Sequence, residues 1–491
     1  MSGTYHYGLI ILLIAAVGLA AVASNRLTEH VKVPVPLLML VGAAIAVSVV
    51  PSLHSPDYHT VERVVTLALV LILFDGGMHI GWSRFRAAAG PIVVVGVAGT
   101  FLTAAAGAVL LHGAFGLTWY VALLVATAVA PTDPAVVFSV LGQREIAGRS
   151  STILEGESGA NDPVGIALMA SLITAGSLTG SAAGHIAVEF LLQMGIGGAV
   201  GIAGGLGLLW FMRRIPLPSE SLYPLRTMIS AYLLYGVATV AHGSGFLAVF
   251  VAGILLGDPR APYKNEITRF HAALGSLAEI VAFVVLGLTI DLHVLTRANV
   301  WVPGLVLAVA LTLIIRPLLV GLCLIPARLR RTENTFVVLA GLKGAVPILL
   351  GVLIHLAHPP EADRLYGIVV VVVVFSVLVQ GSFVPTLAAA LHLPMRTVEP
   401  EPWAFGVRLR DEPEGVHRLT IAPAATAEDR TIAEVAEDAG DIWISVIVRD
   451  QQLIPVTPNT RLRAGDEIIV LADPGLHDTL TTLFTRDAGK G

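Results

Sequence analysis

Apolar runs of about 17 to 25 residues recur along most of the chain, with estimated starts near residues 7, 34, 61, 90, 118, 150, 186, 222, 244, 270, 298, 333 and 364 and a last end near Leu391. Each is long enough to cross the hydrocarbon layer of a bilayer. Lipid offers no water to solvate a peptide group, so such a segment must close its own hydrogen bonds, which selects the α-helix. Composition points the same way: 55% hydrophobic residues, 13% charged residues and a mean hydropathy of +0.81 lie outside the range of soluble domains. The chain therefore reads as an α-helical polytopic membrane protein of about thirteen transmembrane helices. The first run, about Tyr7 to Ala23, has no basic region before it and many apolar runs after it, so it is expected to be a span rather than a cleaved signal. The single cysteine, Cys323, excludes an intrachain disulfide, argues against a cysteine metal cluster and reads as a small apolar filler.

Basic residues give the orientation, because Lys and Arg accumulate in cytoplasmic loops. One set of alternate loops holds sixteen of them, from Arg26 and Lys32 to Arg331 and Arg396, whereas the other holds Arg63, Arg297 and Arg364. The N-terminus is thus expected outside and the C-terminus in the cytoplasm. Composition changes after Leu393: residues 1–393 form the membrane domain, Pro394, Pro400 and Pro402 mark a linker at 394–404, and residues 405–487 form a small cytosolic α+β domain. From Phe405 onward nine basic and fifteen acidic residues leave a net charge of about minus six. Alternating runs at Val416–Ile421, Trp443–Val448 and Glu467–Leu471 predict strands, and the stretches Thr431–Glu437 and Gly475–Phe484 predict helices.

Charged residues inside the spans carry the functional signal. Burying a carboxylate at membrane depth costs at least ~2.5 to 3.5 kcal/mol, so such groups usually line a substrate or proton path. The segment Glu155-Gly-Glu157-Ser158-Gly-Ala-Asn161-Asp162-Pro163 runs directly into an apolar stretch. The fifth span contains Ala130-Pro131-Thr132-Asp133-Pro134 and the twelfth Gly341-Leu-Lys343-Gly344-Ala-Val-Pro347, each setting one charge among helix breakers. With six spans per inverted repeat and the seventh as connector, these two spans are counterparts. A kinked but continuous helix is the alternative for either alone, and the matched positions favour two broken helices that cross. Asp133 should then face helix N-termini and Lys343 carbonyl ends, each offsetting the partial charge it meets.

Helix geometry sorts the sixth span. Ser158 and Asp162 lie about 40° apart around the axis and can offer oxygens to one ion, whereas Glu157 is turned about 140° from Asp162. Glu157 therefore needs another partner, and the lone mid-span Arg316 of the eleventh span is the candidate for a structural ion pair. Glu155 lies on the Asp162 face two turns nearer the cytoplasm, either at the mouth of an access funnel or as a solvated carboxylate. Glu279 in the tenth span is a pore carboxylate or a satisfied interface residue, the second being favoured.

The blocks Thr132-Asp133-Pro134, Gly156-Glu157-Ser158-Gly159-Ala160-Asn161-Asp162-Pro163 and Gly341-Leu342-Lys343-Gly344-Ala345-Val346-Pro347 resemble those of the NhaP-type monovalent cation:proton antiporters, in the same order, over about residues 7 to 391. That resemblance implies a thirteen-span fold with a dimerisation domain and a moving core domain, and hence a homodimer. It further implies that Asp162 binds cation or proton, helped by Ser158, the Thr132 backbone and Asp133, and that Asn161 marks electroneutral exchange. Asp75, in Leu73-Phe74-Asp75-Gly76-Gly77, resembles an acidic family position near the ion path and reads equally as a membrane-edge residue. Lys343 departs from the family pattern, which commonly has arginine there; an ammonium can lose a proton on desolvation and a guanidinium cannot. The tail segment Arg461-Leu-Arg463-Ala-Gly465-Asp466-Glu467-Ile-Ile-Val-Leu-Ala-Asp473-Pro resembles the RCK_C/TrkA-C regulators of potassium transport. This implies cytosolic regulation, in some relatives by cyclic di-AMP, and a structural dimer tail is the alternative; no glycine-rich nucleotide loop precedes it.

One carboxylate reached from one side at a time couples two fluxes by competition. The expected function is exchange of a monovalent cation for a proton across the plasma membrane, potassium favoured and sodium a close second, electroneutral because Asn161 rather than a second acid adjoins Asp162. A channel is disfavoured by the absence of a repeated carbonyl filter, and an intramembrane aspartyl protease by the lack of any task for Asn161 and the paired helix breaks. No enzymatic function, cofactor, metal-ligand cluster or nucleic-acid surface is expected.

Overall fold

Long runs of Val, Leu, Ile and Ala become helices, and glycine, proline and buried charge decide where those helices bend or stop. The computed structural model describes residues 19, 35–49, 56–141, 144–146, 149–178, 180–257, 263–292, 295, 299–393, 395–397, 415–439, 442–449, 452–473 and 476–485. The chain divides into two units, Met1–Glu399 and Pro400–Gly491.

The first unit is helical: α1 (Val35–Val49), α2 (Tyr58–Val93), α3 (Thr100–Phe115), α4 (Trp119–Ala128), α5 (Pro134–Leu141), α6 (Arg149–Ala175), α7 (Gly180–Arg214), α8 (Leu222–Val240), α9 (Gly245–Leu256), α10 (Lys264–Gly287), α11 (Trp301–Ala310), α12 (Arg331–Leu339), α13 (Ala345–Leu356), α14 (Ala362–Phe375) and α15 (Gly381–Ala390). Among the described residues, five helical stretches are long and apolar enough to cross a membrane: Tyr58–Phe115, Ala182–Arg214, Lys264–Gly287, Trp301–Cys323 and Ala362–Ala390. The expected first span lies outside the described residues except for residue 19.

The stretch Tyr58–Phe115 corrects one boundary. Its fourth span was expected to start near residue 90, but the chain turns at Gly81, where φ is 64° and ψ 161°, and is helical again from Trp82. The segment Trp82-Ser83-Arg84-Phe85-Arg86 reads as a polar loop in sequence, yet its backbone bonds close a helix. Glycine is required at the bend because φ is positive and a Cβ there would stand 2.8 Å from the Gly257 carbonyl oxygen. α11 continues into a wide π-type turn over Leu311–Val320 that contains Pro317, whose missing N–H breaks the α-helical ladder. A second such turn, Ser376–Gln380, joins α14 to α15. One continuous apolar core runs through the unit, and the strand β1 (Arg144–Ile146) pairs antiparallel with β2 (Met395–Thr397).

The second unit is a four-stranded antiparallel sheet in the order β3-β6-β4-β5, with β3 (Val416–Thr420), β4 (Ile442–Arg449), β5 (Gln452–Ile454) and β6 (Glu467–Ala472). Its helices are α16 (Ile432–Ala439) and α17 (His477–Thr485). Ile421, Val435, Ile444, Ile447, Leu462, Ile468, Val470, Leu480 and Phe484 form its core. The three predicted strands and two predicted helices are present, and β5 is too short to show a periodicity. Thr431 and Glu434 form a capping box at the start of α16: the Thr431 N–H donates to the Glu434 carboxylate at 2.8 Å and the Glu434 N–H to the threonine hydroxyl at 3.3 Å. Those bonds hold the Glu434 carboxyl below its usual range. Asp466 is fully buried and takes two bonds from Arg449, at 2.7 and 2.8 Å, and one from the Arg463 N–H at 2.8 Å. These bonds close the Arg463-Ala-Gly-Asp466 turn that feeds β6. The expected linker at 394–404 and the domain start at Phe405 fall mostly outside the described residues.

Candidate cation and proton site

Two helix breaks meet inside the first unit. α4 stops at Ala128 and α5 starts at Pro134; α12 stops at Leu339 and α13 starts at Ala345. Proline at the head of α5 loses nothing, because the first N–H of a helix has no partner within it. The extended segments between them pair, the Asp133 N–H donating to the Leu342 carbonyl at 2.8 Å.

The charges sit at the ends that suit them. The Asp133 carboxylate accepts from the N–H of Ala135 at 2.9 Å and lies against the backbone just before α13, where a Cβ on Gly344 would meet it, so one side chain faces the N-termini of both α5 and α13. Lys343 Nζ donates to the carbonyls of Ala130 at 2.9 Å and Pro131 at 3.0 Å, just past the C-terminus of α4. Such an arrangement supplies partners for backbone groups that lipid would leave unpaired. It needs a bare backbone at Gly344, where a Cβ would collide with the Asp133 carboxylate.

α6 passes beside the crossing and divides its polar residues between two faces. Glu157 Oε1 accepts from Arg316 Nη2 at 2.9 Å, and the two side chains are only 2% and 3% exposed. Arg316 lies in the π-type turn before Pro317 and also donates from Nε to the Val338 carbonyl at 3.2 Å. A Cβ on Gly341 would occupy the place of its guanidinium. On the other side, the Asn161 amide donates to the Thr132 hydroxyl at 2.8 Å, and its oxygen accepts from the Thr132 N–H at 3.4 Å. Asn161 thus pins α6 to the first break. Asp162, 8% exposed, and Ser158, 6% exposed, are buried near the same crossing. Asp133 repels negative charge at Asp162, and Lys343 attracts it. Among the described residues none donates a hydrogen bond to Asp162 or Ser158, so their oxygens remain able to bind a proton or a dehydrated cation.

The other acids lie apart from this group. Glu155 accepts from the Ser151 hydroxyl at 2.8 Å and approaches Arg84 Nη2 at 3.5 Å, so it is braced by a cation rather than simply solvated. Asp75 stands in the seam between α2 and α10, where a Cβ on Gly275 would lie 3.1 Å from its Oδ2, and His79 Nδ1 lies 3.4 Å from its Oδ1. Glu279 differs from its favoured reading as a satisfied interface residue, because its Oε1 is buried without a hydrogen-bond partner.

The family description "Sodium/hydrogen exchanger, transmembrane" matches residues 11–390. The chain belongs to this family. A TrkA-C domain matches residues 416–485. The chain is 32% identical over 492 residues to the K(+)/H(+) antiporter NhaP of Alkalimonas amylolytica, covering 98% of this chain and 84% of that relative. It is 30% identical over 474 residues to the K(+)/H(+) antiporter NhaP2 of Shewanella oneidensis, covering 95% and 81%. The fold resembles that of the sodium proton antiporter MjNhaP1 from Methanocaldococcus jannaschii at pH 8, with a TM-score of 0.63 and 24% identity over 76% of this chain and 99% of that one. As a member of the sodium/hydrogen exchanger family it is a multi-pass membrane protein and a secondary transporter of monovalent cations and protons, not an enzyme.

Three residues of this exchanger site escaped the sequence reading. The Ser376 hydroxyl accepts from the Lys343 N–H at 3.0 Å, and the Gln380 amide donates to the Leu339 carbonyl at 2.7 Å. The Gln380 oxygen in turn accepts from the Thr312 hydroxyl at 3.2 Å and from Ser376 at 3.0 Å. Together they satisfy the backbone of the second break. The signal was present: Ser376 and Gln380 stand one turn apart in an otherwise apolar run.

Proposed function

We propose that the protein exchanges potassium for protons, one for one, at Asp162, with sodium as the second substrate. The observation that carries this reading is a buried carboxylate without a protein donor, one turn from a buried hydroxyl and beside a neutral Asn161 already engaged by Thr132. Protonated Asp162 has no charge to hold a cation, and a cation-bound Asp162 holds no proton, so each turnover carries one or the other. Ser158 and the Thr132 backbone supply further oxygens, Asp133 and Lys343 hold the crossing together, and Glu157 with Arg316 ties α6 to the π-type turn. Asp75 stands on the approach. The names of the two similar antiporters support potassium, and a TrkA-C domain, matched to potassium-linked regulators, supports the same choice.

One positive charge moves in each direction, so a membrane potential worth ~2.3 kcal/mol per charge per 100 mV does not drive the cycle. The protein works as a homodimer in the plasma membrane, spans it thirteen times, and has its N-terminus outside and its C-terminal domain in the cytoplasm, where a small ligand such as cyclic di-AMP adjusts activity. The alternative reading, a sodium or lithium exchanger with a structural tail, is supported by the fold's likeness to a sodium proton antiporter.

The test is dequenching of a pH dye in everted vesicles on addition of potassium, sodium, lithium or rubidium. Wild type responds to potassium first, and Asp162→Asn abolishes the response while reaching the membrane in normal amount. Exchange retained in Asp162→Asn removes that residue from the mechanism.

A further inference from the structure

Glu279 lies on α10, about 22 Å along the helix axis from Lys264, deep within a membrane-spanning segment. A carboxylate there is costly unless both oxygens are served, and its Oε1 is buried without a hydrogen-bond partner. Its surroundings tie it to the two acids on either side.

One turn before Glu279, on the same face of α10, stands Gly275, whose absent side chain leaves room for Asp75 of α2. Asp75 Oδ1 is likewise buried and accepts no hydrogen bond, although His79 Nδ1 lies 3.4 Å away. In the other direction, Glu279 is within Coulombic reach of Asp133. α10 also packs on α13, whose N-terminus lies against that same carboxylate. Asp75 and Glu279 therefore stand within one turn of each other along the α2–α10 seam, Asp75 paired with His79 and Glu279 with an unserved oxygen, on a helix that also packs on α13.

Resting on the exchanger reading of Asp162, we propose that Glu279 is the last cation-holding carboxylate before the crossing: an alkali cation travels the α2–α10 seam from Asp75 to Glu279 and is passed from there to Asp162. Glu279 exchanges part of the ion's hydration shell for its own oxygen before the ion meets Asp162. It thereby sets the concentration at which the site fills and contributes to the choice among alkali cations.

The experiment measures half-saturating concentration and maximal rate in everted vesicles, with potassium, sodium and rubidium chlorides, for wild type, Glu279→Gln, Glu279→Asp and Asp162→Asn. Glu279→Gln keeps the shape but loses the charge. It should raise the half-saturating potassium concentration at least tenfold, with a smaller effect on maximal rate, and should change the order among the three cations. Glu279→Asp keeps the charge one methylene further back and should recover at least half of the lost affinity on a logarithmic scale. An unchanged half-saturating concentration in Glu279→Gln, at normal membrane abundance, overturns the proposal, as does a fall in maximal rate alone. If Glu279→Gln fails to reach the membrane, Glu279→Ala takes its place, with a tenfold or larger rise supporting the proposal and any smaller change refuting it. Asp162→Asn separates the two readings: if it still exchanges, the Asp162 site itself is wrong, whereas its inactivity beside an unaltered Glu279→Gln refutes this inference only.

Discussion

Replacing Glu157 with leucine, a residue of similar volume, leaves the Arg316 guanidinium in apolar surroundings with one carbonyl, that of Val338, as its described partner. In wild type this guanidinium is 3% exposed and meets Glu157 Oε1 at 2.9 Å. Breaking one side of such a buried pair costs about 3 to 5 kcal/mol, because the remaining charge is desolvated without compensation, whereas replacing both sides with apolar groups is often near neutral. Glu157→Leu and Arg316→Met should therefore each destabilise by about 3 to 5 kcal/mol, and the double variant by no more than about 2 kcal/mol. The coupling energy is then at least about 4 kcal/mol, well above the few tenths at which distant sites depart from additivity. Equilibrium unfolding in mixed micelles at rising dodecyl sulfate fraction measures all four corners of the cycle. Single variants within about 1 kcal/mol of wild type, or a double variant equal to the sum of the singles, would refute the assignment of this pair as a buried structural tie.

Acid should weaken cation binding, since a proton and a cation compete for Asp162: below the site's proton affinity the half-saturating potassium concentration should rise about tenfold per unit fall in pH. A half-saturating concentration that stays flat between pH 6 and pH 9 contradicts single-site competition. Removing the chain after Leu393 should leave exchange in vesicles intact and alter the conditions under which it switches on, because the family match for the exchanger ends at residue 390 and the TrkA-C match begins at 416. Loss of membrane insertion in that truncation contradicts the separation of the two units.

Legibility in the sequence tracked how local the physics was. The breaks at Asp133 and Lys343 were readable because proline and glycine interrupt apolar runs at matching places, and the facing of Ser158, Asp162 and Glu157 came from helical period alone. The bend at Gly81 was missed because charged Arg84 and Arg86 look like a loop, although they sit on a helix end, where Arg84 reaches Thr152 at 3.1 Å and Glu155 at 3.5 Å. Ser376 and Gln380 are marked in sequence by their polarity within an apolar run, but their partners at the second break lie on spans that meet only after folding. The orphan oxygen of Glu279 was invisible for the same reason: a residue's type shows that it needs a partner, and only the fold shows whether it has one.

The joint between the two breaks has a mechanical consequence. Since the Asp133 N–H is bonded to the Leu342 carbonyl and Lys343 to the carbonyls of Ala130 and Pro131, the two broken helices are held at a common pin and cannot separate without severing it. Motion that exposes Asp162 first to one compartment and then to the other must carry both halves together, like a turnstile arm on a single axle, so the seal between the two compartments is remade by displacement of a preformed joint rather than by its disassembly.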